Sequence, residues 1–231
     1  MTNTISRRTL AKGAAWSVPV VAVAAAAPAA SASPADCITS GTLTNSASGV
    51  PSAANYTCVQ TDEGGTPTGT ALGNWRVQIN VATCTAVHAG STLKSAPVIT
   101  ANVITSTTAG NVLRGFGATQ VTGGTSSAGY SVAGQVVSPG TRTGNLSIGS
   151  FPVPASGGIT TTATGTGALE TSTTAGSINI AAGDFTVILN WTGEDPDTGA
   201  PNSGVNYIKC TTGTAAAPAT SVPLTPAITV Q

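Results

Sequence analysis

The chain has 231 residues and a formal net charge of zero, with 40% hydrophobic, 7% charged and 4% aromatic residues. Soluble proteins average about 25% charged residues, so this sequence holds no basic patch for nucleic acid or anionic lipid. Beyond the first twelve residues it is mildly acidic: Arg76, Lys94, Arg114, Arg142 and Lys209 stand against Asp36, Asp62, Glu63, Glu170, Asp184, Glu194, Asp195 and Asp197.

The N-terminus reads as an export signal. Arg7 and Arg8 form a twin-arginine pair between Ser6 and Lys12, residues 13–27 are small and apolar, and Ala30, Ser31 and Ala32 supply a small-x-small cleavage site. The apolar run is too short and too alanine-rich to span a bilayer. Residues 1–32 are therefore expected to be a cleaved twin-arginine signal peptide, and the mature chain is expected outside the cell or on its envelope. About 200 residues remain, enough for one domain with a hydrophobic core. No later stretch has the length and apolarity of a membrane helix. Pro34, Ala35 and Asp36 ahead of Cys37 lack the apolar-small pattern that lipid modification of that cysteine needs.

Cys37, Cys58, Cys84 and Cys210 are an even set in an exported chain that has one histidine and no CxxC pair. Two disulfides follow more naturally than a metal site. Four cysteines allow three pairings. The pairing expected joins Cys58 to Cys210, tying the first core strand to the last, and Cys37 to Cys84, pinning the N-terminal extension.

Helical periodicity is not sustained anywhere, whereas short alternating stretches are bounded by Gly, Pro, Asn and Ser. Trp75, Val77, Ile79 and Val81 point one way and Arg76, Gln78 and Asn80 the other. Phe185, Val187, Leu189 and Trp191 repeat the pattern. Less regular strands are expected over 56–61, 96–105, 117–122, 128–137, 144–151, 176–181 and 205–211, with turns at Gly64–Gly65, Gly123–Gly124, Pro139–Gly140, Gly157–Gly158 and Asn202–Gly204. Eight or nine strands of this kind predict an all-β antiparallel sandwich over residues 33–212. Residues 213–231, rich in Thr, Ala and Pro, read as a tail or an edge strand. Pro218, Pro223 and Pro226 argue against a central strand there, and the composition suits O-linked sugar as well as it suits a plain end.

From about Tyr56 onward the chain resembles an uncharacterised β-sandwich domain that recurs in secreted actinobacterial proteins. Tyr56-Thr-Cys58, Pro152 to Gly157, Ala163 to Gly167, Ala182 to Phe185 and Lys209-Cys210 carry the resemblance. It implies an immunoglobulin-like fold closed by the first and last cysteines. It implies no catalytic residues, because such domains have no established activity.

The candidate chemistries are sparse. His88 is the only base available to a serine hydrolase, and no GxSxG elbow accompanies it. Glycosidase chemistry would need facing carboxylates, for which Glu170 and Asp184 are candidates, but aromatic platforms for sugar are few. Asp195 and Asp197, followed by Gly199, resemble the start of a calcium loop, but the distal bidentate glutamate is missing and a hairpin tip is the plainer reading. Asn55, Asn145 and Asn190 begin Asn-x-Ser/Thr triplets of the kind that chance supplies in this composition. A threonine face of the ice-binding type would need Thr-x-Thr at a fixed period, and Thr160 to Thr164 stands alone.

The expectation is therefore a secreted or envelope protein that acts without catalysis or cofactor, by binding, adhesion or assembly with an envelope protein or polysaccharide. An accessory module for envelope polysaccharide or a secreted partner enzyme is the alternative, favoured if Tyr130, Tyr207, Trp75 or Trp191 share an exposed groove. A small hydrolase is the remote third.

Overall fold

A computed structural model describes residues 37–45, 54–93, 95–213 and 221–231. Arg7, Arg8 and the rest of the expected signal segment lie outside the described residues, as do residues 214–220 of the expected tail. The elements in chain order are β1 (Cys37–Thr44), β2 (Ala54–Thr61), β3 (Pro67–Val87), β4 (Val98–Ile104), α1 (Thr107–Gly115), β5 (Ala118–Gly134), β6 (Gly140–Ile148), β7 (Phe151–Pro152), β8 (Thr160–Thr166), β9 (Gly176–Glu194), β10 (Pro201–Thr212), β11 (Val222–Pro223) and β12 (Ile228–Val230). Apart from α1, the regular structure is all β.

Alternation builds the walls. Trp75, Val77, Ile79 and Val81 are buried on one side of β3, and Phe185, Val187, Leu189 and Trp191 on one side of β9. Antiparallel pairing runs β9–β10–β2–β3–β4–β8–β6–β5 and returns to β9, so eight strands close into a ring. Their inward residues, with Tyr56, Val121 and Val132 among the most deeply buried, form one core. The sheet is continuous around that core, without the free edges that two separate sandwich layers would leave. Closure matters for a surface this poor in charge, because a free edge would template association.

Three short strands finish the sheet. β1 lies antiparallel to the later part of β3, and β12 bridges β3 and β9, parallel to the first and antiparallel to the second. β11 pairs with β9, and between β11 and β12 Leu224 is buried; in β12 so are Ile228 and Val230. None of the three prolines named above lies within β12, where each would remove a ladder donor.

Disulfides join Cys37 to Cys84 and Cys58 to Cys210. Cys58 and Cys210 are directly opposite each other on β2 and β10, with Cα atoms 4.1 Å apart. An immunoglobulin disulfide crosses between facing sheets, whereas this one clamps two neighbouring strands.

Several local expectations change. The strands at 117–122 and 128–137 are one strand, β5, and Gly123–Gly124 falls at a register shift inside it. The strands at 176–181 and 185–191 are likewise one strand, β9. Asn202–Gly204 belongs to β10, and the turn lies earlier, where the Asp195 N–H donates to Ala200 O and the Gly199 N–H to Asp195 O. Bulges explain the long strands: each shift of register bends the strand so that it can serve both halves of the ring.

Candidate functional site

The fold offers two surfaces with a repeated chemistry, one outside the ring and one inside. Outside, cross-strand register aligns short polar side chains. One row runs Asn80, Thr100, Thr164, Ser147 and Thr125, and the next runs Thr166, Asn145, Ser127 and Thr186, each residue directly opposite the one before, with the exposed apolar Ile188 and Val98 following at an end of the first and second row respectively. A shorter row of Gln78, Asn102 and Thr162 lies beside the first, with the Thr162 hydroxyl donating to Asn102 Oδ1 at 3.0 Å. All these side chains are exposed or half-buried, and none is charged. Neighbouring strands stand about 4.8 Å apart and alternate residues about 6.7 Å apart, so hydroxyls and amides recur in two directions. The repeat runs across strands, which is why a search for a threonine period along the chain does not find it.

Inside, the ring holds a cavity of about 110 Å³. Small residues account for it: Ala101 and Ala163 face each other on β4 and β8, and Ala128 and Ala182 lie on β5 and β9. At about 24 cal/mol per Å³, an empty space of this size costs about 2–3 kcal/mol. Ala109, Val112 and Leu113 of α1 line the cavity where β4 ends and β5 begins. Tyr130, Gly167 and Ala168 line it elsewhere, and the Ala168 N–H donates to the Tyr130 hydroxyl oxygen at 2.7 Å. Burial, first of all, raises the Tyr130 pKa.

The helix that covers the interior was not expected from the sequence. The Ser106 side chain caps it by accepting from the Ala109 N–H at 3.1 Å, and its hydroxyl donates to Leu72 O. Gly117, at φ 80°, ends it in the left-handed region that glycine adopts freely. Arg114 in the last turn donates to Pro154 O and Gly157 O at 2.9 and 3.0 Å, tying the helix to the loop after β7.

The residues singled out for chemistry are dispersed. His88 is exposed on the turn after β3, and no hydrogen bond to its ring is formed among the described residues. Its carbonyl accepts from the hydroxyls of Ser91 and Ser172, both at 2.6 Å. Glu170 is buried and receives two bonds from Arg142, Nε to Oε1 at 2.9 Å and Nη2 to Oε2 at 3.1 Å. Asp184 Oδ1 accepts from the N–H and hydroxyl of Thr212 at 2.9 and 3.3 Å. Both carboxylates thus serve structural contacts. Tyr56, packed edge-on against Phe185 with ring centroids 4.9 Å apart, has its pKa raised by burial first and then by the nearby Asp184 charge.

Asp195 Oδ1 accepts from the Asp197 N–H, the Thr198 N–H and the Thr198 hydroxyl at 3.0, 2.8 and 2.9 Å, so it is engaged by its own turn at the β9–β10 tip. Among the described residues, no three of His, Cys, Asp and Glu gather as a metal site would require. Trp75 and Trp191 are 3% and 6% exposed, so neither can join Tyr130 and Tyr207 in an open sugar-binding groove. Trp191 instead stacks on Phe116 at 6.0 Å.

These observations define a disulfide-bonded all-β domain with an uncharged polar face and an apolar interior. The chain belongs to a family of unknown function, DUF6801, whose model matches residues 55–222. No curated protein and no solved structure matches it. Two disulfides suit an oxidising compartment, and among the described residues no helix is long and apolar enough to cross a membrane.

Proposed function

We propose that this is an exported protein of the cell surface or extracellular space that works by non-catalytic adhesion or assembly through its outer sheet face. The observation that carries the reading is the pair of cross-strand rows from Asn80 to Thr125 and from Thr166 to Thr186, a broad uncharged array of hydroxyls and amides on a closed ring. Each group on such a face is a weak donor or acceptor with little desolvation cost compared with a charge. Many in register can meet a repeating, uncharged hydroxyl-rich partner such as an envelope polysaccharide or another envelope protein. The paired Arg7 and Arg8 supply the export route in this reading, and two disulfides fit the destination. The domains it resembles in secreted actinobacterial proteins belong to the same picture.

Fractionation of producing cells tests it. Blotting should find the mature chain on washed envelopes, releasable by salt or detergent. A chain found only as free monomer in the medium would overturn the adhesive reading.

A further inference from the structure

We propose that the ring interior is a binding site for a small, uncharged, mostly apolar molecule carrying one hydrogen-bonding group. The proposal stands independently of the outer face. Eight-stranded rings are at the size where the interior is either filled by side chains or left able to hold one small ligand. Here the opposed Ala101 and Ala163, flanked by Ile79 and Ile148 on the adjoining strands, leave the middle unfilled, and the space measures about 110 Å³. An apolar cavity of comparable size in another protein stays dry and takes up benzene.

A second observation points to the ligand's polar end. Asn206, on the inward side of β10, is 6% exposed and lines the cavity, and its amide makes no hydrogen bond among the described residues. Its amide atoms are not sealed in the core, where Trp191 Nε1 is the one buried side-chain polar atom without a partner among the described residues, so they are open to a guest in the cavity they line. A hydroxyl or carbonyl on the guest would satisfy them. No charged side chain lines the cavity, so an ionic guest would lose its hydration without compensation.

Toluene and benzyl alcohol are suitable probes for the intact, disulfide-bonded mature protein, followed by methyl NMR. Both should shift the methyl signals of Ala101, Ala163 and Ile208 along saturable curves. Asn206→Leu should lower the ratio of benzyl alcohol to toluene affinity about tenfold while toluene still binds. Ala163→Leu, which fills the space, should abolish binding of both. If that variant does not fold, Ala101→Val should weaken both at least tenfold. Absence of saturable shifts in the wild type up to the solubility of the probes would overturn the proposal. So would binding that survives the filling substitution, or an affinity ratio that Asn206→Leu leaves unchanged.

Discussion

Arg142 and Glu170 meet through two hydrogen bonds at a place where the Glu170 residue is 7% exposed and the Arg142 side chain 21%. Removing one partner of such a pair strands the other charge, so Glu170→Gln should cost about 3 kcal/mol in urea denaturation. A loss below about 0.5 kcal/mol, the range of ordinary surface changes, would show the pair to be idle. Gly204 is constrained differently, because a Cβ built there would stand 2.5 Å from Trp191 Cζ2. Gly204→Ala should therefore destabilise by about 1–3 kcal/mol through overpacking, and an unchanged midpoint would contradict that contact. At the β9–β10 tip the Asp195 pKa is lowered, first by the Thr198 N–H and then by the Thr198 hydroxyl and the Asp197 N–H. A carboxyl depressed on folding contributes stability that is present above its unfolded value and lost as pH falls through its folded value. Carboxyl ¹³C titration should therefore place the native Asp195 transition below that of the urea-unfolded chain, and coincident transitions would refute the turn's hydrogen bonds.

Among the elements, strands with strong alternation are legible from composition, since Trp75 to Val81 and Phe185 to Trp191 carry their burial pattern in their residue types. Less legible are β8, whose Thr160 to Thr166 run holds only Ala163 as a buried apolar residue, and β1, where the packing is against the end of β3. The helix α1 contains threonines, a valine and glycine, none of which favours a helix. It exists because Ser106, Arg114 and Gly117 secure its ends and Ala109 and Leu113 enter the core. Ser106→Ala should cost about 1 kcal/mol or more, given the added bond to Leu72 O. The cysteine spacings carry real information, because the span of 47 residues between Cys37 and Cys84 closes a loop worth about 4 kcal/mol in the chain-entropy model. A Cys37→Ser, Cys84→Ser double variant should still fold and stay soluble but melt at a clearly lower temperature. An unchanged melting temperature would mean that the bridge adds nothing to the ring.

At the scale of the whole molecule, closure of the ring was beyond sequence reading because it depends on β5 meeting β9 and β6 meeting β8, pairings between distant segments with no local signature. The same holds for both candidate surfaces. The outer rows draw their residues from β3, β4, β8, β6, β5 and β9, and the cavity arises from alanines on four strands that are unremarkable one by one. The chain's low charge, by contrast, is a property of composition, and the ring turns it into a continuous face. The most direct test compares envelope retention of the wild type with that of Thr164→Lys and Thr164→Glu variants, each checked for an unchanged melting temperature. The account predicts that a charge of either sign at the centre of the array releases the chain into the medium. Retention that persists in both variants, or that rises with lysine and falls with glutamate, would contradict it.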